Sequence, residues 1–161
     1  MYYPGYTQEE LNQQLFYSCE LSDLKRIKRL ISLGADVNSM VTYDNDCLWL
    51  GLDMKEGWES AAFPIHKATM NKDIEVFLTL LNYGANPLFQ SDWEEEPLYW
   101  AVRANNFEVI KILVGKYKNN PVHSNLDGRT PLKAAREKAN KTKNYKIYKY
   151  LLRKAKYFEE D

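Results

Sequence analysis

The chain has 161 residues, with 22 basic and 22 acidic side chains and therefore no formal net charge. This balance gives no overall field that would attract nucleic acid or an anionic membrane, and no apolar run reaches the roughly 18 residues of a membrane span. The length and the 45% hydrophobic fraction suit one domain with a continuous core.

The amino terminus shows neither a basic region nor an apolar run ahead of a cleavage site. Two cysteines are too few for a disulfide framework, so we expect reduced thiols. These features predict a cytoplasmic protein, or one that is delivered to a host cell without a conventional signal peptide.

Two helices are predicted in residues 7–34. Thr7 and Glu10 have the spacing of a capping box, and apolar residues then recur on one face through Cys19. A polar break precedes a second amphipathic helix, which ends at Gly34. The opposite face of that helix carries four basic residues. We interpret this face as solvated, because no aromatic residues interleave with the charges as they do in many nucleic-acid sites.

Residues 64–87 define the unit that organises the chain. Pro64 opens a short helix, a polar break follows, and an apolar second helix ends at Gly84. The pattern returns 33 residues later at Pro97, and again 34 residues after that at Pro131. A period of this size predicts an array of stacked repeats.

The motifs of these units resemble those of the ankyrin-repeat family. Residues 127–132 read Asp-Gly-Arg-Thr-Pro-Leu, residues 64–68 read Pro-Ile-His-Lys-Ala, and residues 80–85 read Leu-Leu-Asn-Tyr-Gly-Ala. The resemblance covers about residues 10–155 and implies an all-α ankyrin-repeat solenoid, in which helix-turn-helix repeats alternate with hairpin loops. It also implies that His66 supports the fold by hydrogen bonds to nearby backbone. The single domain, residues 1–161, would contain repeats at about 7–38, 60–90, 91–123 and 124–157.

An insertion of about residues 39–60 separates the first two repeats. It contains two short apolar runs around a glycine-ended turn. Ankyrin repeats connect through a hairpin at this place, so we predict an enlarged hairpin finger. Trp49 and Trp58 in this finger would either pack on the neighbouring repeat or anchor a partner, since tryptophan is enriched among the dominant residues of interfaces.

The third repeat departs most clearly from the motif. Residues 93–96 read Trp-Glu-Glu-Glu where a glycine turn is expected, and this removes the residue that best tolerates a positive φ. The segment would lie at a hairpin tip, either as a tolerated acidic turn or as a binding element. Trp100 would lie on the concave surface or in the core. The predicted partner-binding residues are Trp49, Trp58, Met70, Asn71, Trp93, Glu95, Trp100 and Arg103.

The fourth repeat ends the array with a strongly basic segment. Thr130 and Pro131 begin its first helix, and we predict a lengthened loop over residues 140–144 before the second. Between Lys133 and Lys156, Glu137 is the only acidic residue. The basic outer face suits a terminal cap. Its interleaved tyrosines leave open an RNA or an acidic partner.

The sequence contains no phosphate loop, no nucleophile elbow and no zinc signature. We therefore expect neither an enzyme nor a cofactor or metal. A stacked array offers an extended surface that binds proteins, so the predicted function is non-enzymatic binding of one protein partner, as a stand-alone inhibitor, adaptor or effector. By analogy, this class includes bacterial immunity proteins and delivered effectors. The alternatives are a self-associating structural protein and, ranked lower, nucleic-acid binding through the Lys/Tyr face at the carboxyl end.

Overall fold

The computed structural model describes residues 5–44 and 59–158. Within them the chain forms eight α-helices and two short strands. In chain order the elements are α1 (Gln8–Glu20), α2 (Leu24–Ser32), β1 (Val41–Asp44), β2 (Glu59–Ala62), α3 (Pro64–Thr69), α4 (Ile74–Asn82), α5 (Pro97–Arg103), α6 (Phe107–Gly115), α7 (Pro131–Thr142) and α8 (Lys146–Ala155). A short 3-10 turn, Lys156–Phe158, follows α8.

The helices pack as four successive pairs. Each pair joins an inner helix (α1, α3, α5 or α7) to the helix that follows it, and the inner helices also contact one another in sequence along the array. The outer helices α2, α4 and α6 form a parallel row of weaker contacts. The main hydrophobic core runs through all four pairs, from Leu11 in α1 to Leu151 in α8. This stack is the predicted solenoid.

Local signals determine where most helices begin and end. The predicted capping box is present: the Thr7 hydroxyl accepts from the Glu10 N–H, and the Glu10 carboxylate accepts from the Thr7 N–H. Gly34 and Gly84, with φ of 105° and 87°, each follow an outer helix in the left-handed conformation. After α2, the N–H of Ala35 donates to the carbonyl of Leu30, as in a Schellman motif. Glycine relieves the steric cost of this turn.

The two strands form the base of a hairpin between α2 and α3. They pair antiparallel, with Val41 opposite Ala62 and Asp44 opposite Glu59. The predicted hairpin therefore begins at the expected place, while the rest of the enlarged finger lies outside the described residues and stays a prediction. The loop before α5 is hydrogen-bonded to this hairpin, because the Asp92 N–H donates to the Ala61 carbonyl at 3.0 Å.

The fourth helix pair corrects one prediction. Residues 140–142 belong to α7 and not to a loop, since α7 continues to Thr142 and ends at Lys143 with φ of 59°. Residues 136–142 contain no glycine or proline, so nothing in that stretch stops a helix. No helix in residues 5–44 and 59–158 is long and apolar enough to cross a membrane.

Candidate functional site

A second hydrophobic cluster lies on the inner helices beside the hairpins, apart from the main core. We call it the inner cluster, and its buried members are Phe16, Val41, Tyr43, Ala62, Tyr99 and Trp100. The Phe16 and Tyr43 ring centroids are 5.0 Å apart, and those of Tyr43 and Trp100 are 6.4 Å apart. The cluster thus packs α1, the hairpin base and α5 against one another.

A lysine is enclosed by this cluster. The Nζ atom of Lys67 lies 4.7 Å from the ring centroid of Tyr43 and 5.3 Å from that of Phe16. It also forms an ion pair of 3.2 Å with the Glu20 carboxylate. Only 5% of Lys67 is exposed. The two ring faces and the carboxylate together stabilise a cation that burial would otherwise disfavour.

His66 in α3 is fully buried and serves the fold, as predicted. The Phe63 N–H can only donate, so the Nδ1 atom of His66 accepts at 3.3 Å. The proton is therefore on Nε2, which donates to the Glu95 carbonyl at 2.9 Å. Burial lowers the pKa of His66 to about 4, although both backbone hydrogen bonds act against the shift. The imidazole is neutral near pH 7 and fixes the hairpin to α3.

Glu95 connects α3, α5 and the loop that precedes α7. One carboxylate oxygen accepts from the Trp100 indole N–H at 2.7 Å, and the other accepts from the Asn125 amide at 2.9 Å. Its backbone carbonyl accepts from His66. Burial raises the pKa of Glu95, while the hydrogen bonds from Asn125 and Trp100 oppose that rise. The acidic turn therefore contributes an internal tie, with Glu94 in the positive-φ position at 57°.

Two predicted site residues, Trp93 and Trp100, differ in exposure. Trp93 is half-buried in its hairpin loop, where its carbonyl accepts from the Leu126 N–H at 3.1 Å. Trp100 is only 7% exposed and lies inside the inner cluster. Trp49 and Trp58 lie outside the described residues, so their predicted role stays a prediction. Of the two tryptophans that the structure describes, Trp93 is the one with a partly exposed side chain.

Met70, Asn71 and Arg103, which are also among the predicted partner-binding residues, lie near the ends of inner helices, and all three are half-buried. Met70 packs against the inner cluster. The Asn71 amide donates to the Cys19 carbonyl, which ties α3 to α1. The backbone carbonyl of Arg103 accepts from the Lys138 ammonium at 2.6 Å.

Sequence reasoning missed Lys67 and its partner Glu20. A signal was available, because Lys67 occupies the position that holds Trp100 and Ala134 in the aligned units. A charge at a position that is otherwise apolar indicates a buried pair or an exposed site, and the alignment alone does not choose between them.

The described residues include no group of three or more metal-ligating side chains. The Glu95 carboxylate has both oxygens occupied as acceptors. The described residues around the inner cluster therefore form a framework of aromatic, amide and charged groups that hydrogen bonds and ring contacts tie together.

The family model described as Ankyrin repeats (3 copies) matches residues 65–161. The chain belongs to the ankyrin-repeat family. The helix pair α1 and α2 precedes the matched ankyrin residues, and the structure stacks it in the same manner, α1 on α3 and α2 on α4. No curated protein matches the chain. Ankyrin repeats are in general protein–protein interaction modules, and the family is typically non-enzymatic.

Proposed function

We propose that this ankyrin-repeat protein is a non-enzymatic binding protein that holds one protein partner against its inner helices and hairpin loops. It would act as an inhibitor, an adaptor or an effector. The observation that carries the proposal is the cross-tied inner surface, in which the single residue Glu95 is hydrogen-bonded to α3, to α5 and to the loop before α7.

Rigidity supports this proposal. Five asparagines in the described residues form hydrogen bonds between successive helix pairs, namely Asn38, Asn71, Asn106, Asn119 and Asn125. A surface that is already ordered loses little conformational entropy when a partner binds. The array is therefore suited to tight association through side chains that its own fold holds in place.

The half-buried residues around the inner cluster would make the contacts. Trp93, Met70 and Arg103 each leave part of their side chain open. Tryptophan and arginine are enriched among the residues that dominate interface energy. Trp100 is buried beneath this surface, so we infer that it positions Glu95 and the hairpin for the partner.

The carboxyl end adds a charge preference. Residues 131–161 contain ten basic residues and four acidic residues, and three of the four acids are the last three residues. None of the ten forms an ion pair with another described residue. The excess of like charges is unfavourable, and an acidic surface on the partner would relieve this repulsion and accelerate association. We therefore expect the partner to present acidic residues towards α7 and α8.

The test begins with affinity capture from a lysate of the source organism, using immobilised wild type. A recovered protein is then purified and titrated by calorimetry against wild type, Trp93→Ala and Tyr83→Ala. Tyr83 is the matched control, because it is an exposed aromatic at the end of the outer helix α4. We expect Trp93→Ala to weaken binding by at least about tenfold, and Tyr83→Ala by less than about twofold.

Other results would favour the alternatives. Recovery of the protein alone, with a mass that rises with concentration in light scattering, supports self-association. Recovery of nucleic acid that is lost in a Lys146, Lys149 and Arg153 triple glutamine variant supports the Lys/Tyr face as the site. Equal weakening by Trp93→Ala and Tyr83→Ala would reject the inner surface as the interface.

A further inference from the structure

An open groove of about 340 Å³ lies between the start of the described chain and helix α2. Its lining includes Leu30 and Leu33, and Leu30 is only 4% exposed, so the base of the groove is apolar. The half-exposed Tyr6 forms part of its wall. A volume of this size falls within the range of small-molecule sites. No residue of the inner cluster lines it.

Three basic side chains also line the groove: Lys25, Arg26 and Arg29. All three are exposed, and none forms an ion pair with another described residue. The Arg26 guanidinium donates to the Gln14 side chain at 3.2 Å, which holds it across from α1. A guanidinium has five N–H donors, so this bond leaves donors for an anion.

Asp23 is the carboxylate in the lining, and its role is structural. One of its oxygens accepts from the Arg26 backbone N–H at 3.0 Å, as the N-cap of α2. Three cations against one carboxylate leave the groove positive. The groove therefore combines an apolar base, an aromatic wall and a cationic rim.

We propose that this groove binds a small organic anion, one that carries a phosphate or carboxylate group on an apolar ring or chain. The anionic group would be held by Arg26 and Arg29, with Lys25 beside them. The apolar body would lie on Leu30 and Leu33, against the Tyr6 ring. This site is separate from the proposed protein-binding surface, so the two proposals can be tested independently.

The experiment titrates phenyl phosphate and benzoate, as the two probes of the anionic group, into the labelled full chain. Amide chemical shifts are followed by NMR at a constant ionic strength of about 0.15 M, where remote charges are screened. We expect saturable shifts confined to the first two helices. Inorganic phosphate should bind at least about threefold more weakly than phenyl phosphate, because it cannot use the apolar base. Whichever of phenyl phosphate and benzoate binds more tightly identifies the preferred anion.

Lys28 provides a matched control. It lies on the same helix, carries the same charge and is also exposed, but it does not line the groove. Arg29→Gln should weaken phenyl phosphate binding about tenfold, the loss expected for one charge-assisted hydrogen bond. Lys28→Gln should change it less than about twofold. Thermal melts of both variants test whether the fold is intact, which we expect because both positions are exposed.

Three results would overturn the proposal. Equal effects of Arg29→Gln and Lys28→Gln would mean that only diffuse charge attracts the anion. Shifts that do not saturate, or that map to α7 and α8, would mean that the groove is not the site. Equal affinity for phosphate and phenyl phosphate would reject the apolar part of the ligand.

Discussion

The tie between Glu95 and Trp100 gives the sharpest test of how this surface is held. The indole N–H donates to a largely buried carboxylate at 2.7 Å. A hydrogen bond to a charged group contributes about 1.5–3 kcal/mol. Replacing Trp100 with Phe removes the indole N–H and leaves one oxygen of the Glu95 carboxylate without this hydrogen bond. We expect the free energy of unfolding to fall by about 3 kcal/mol, because ring contacts with Tyr43 and His66 are also reduced.

A double-mutant cycle separates the hydrogen bond from the lost packing. Glu95→Gln keeps the shape of the side chain and removes its charge. We expect a coupling energy between Glu95→Gln and Trp100→Phe of at least about 1.5 kcal/mol. The assay is urea unfolding at pH 7, followed by far-ultraviolet circular dichroism so that the lost indole does not alter the signal.

Glu96 supplies the control cycle. It is the next residue along the chain, and its carboxylate accepts from the Asn119 amide at 3.0 Å. The coupling between Glu96→Gln and Trp100→Phe should lie below about 0.5 kcal/mol. Similar coupling energies in the two cycles would refute the argument, because the effect would then reflect general charge in the turn.

Three further predictions concern buried groups. The contribution of neutral His66 to the free energy of unfolding should be fully present above pH 6.5 and should fall by up to about 3 kcal/mol as the pH drops through 4. The reason is that the pKa of His66 is lowered from 6.5 to about 4, so that the unfolded chain binds the proton first. The raised pKa of Glu95 acts in the opposite sense, so the His66 share is the difference between the urea titrations of wild type and His66→Asn. Lys67→Met should leave the free energy of unfolding within about 1 kcal/mol of wild type, because methionine removes the buried charge and the Glu20 side chain, which is 42% exposed, stays solvated without its partner; a loss above about 2 kcal/mol in urea unfolding would show that the pair with Glu20 dominates. Burial raises the pKa of Cys19 to about 12, so iodoacetamide at pH 8 should label it in urea but not in the native protein, and rapid native labelling in peptide mass spectra would contradict this placement.

The repeat register and the helix boundaries could be predicted from the sequence because they depend on local signals. Pro64, Pro97 and Pro131 each begin an inner helix, and Gly34 and Gly84 each follow an outer one. Caps and stops act through residues only a few positions apart. The main exception is the end of α7, where residues with a polar loop composition continue a helix.

The roles of individual side chains were decided by the tertiary structure. The sequence placed Glu95 in an acidic hairpin turn as a partner-binding residue, whereas the fold brings Trp100 and Asn125 to its two oxygens. Asn125 lies 30 residues away in the sequence. The two aromatic rings that contact the Lys67 ammonium likewise come from α1 and β1. Periodicity determined which helices stack, because burial repeats with the helical turn, and only the stacking brought distant polar groups within hydrogen-bonding distance.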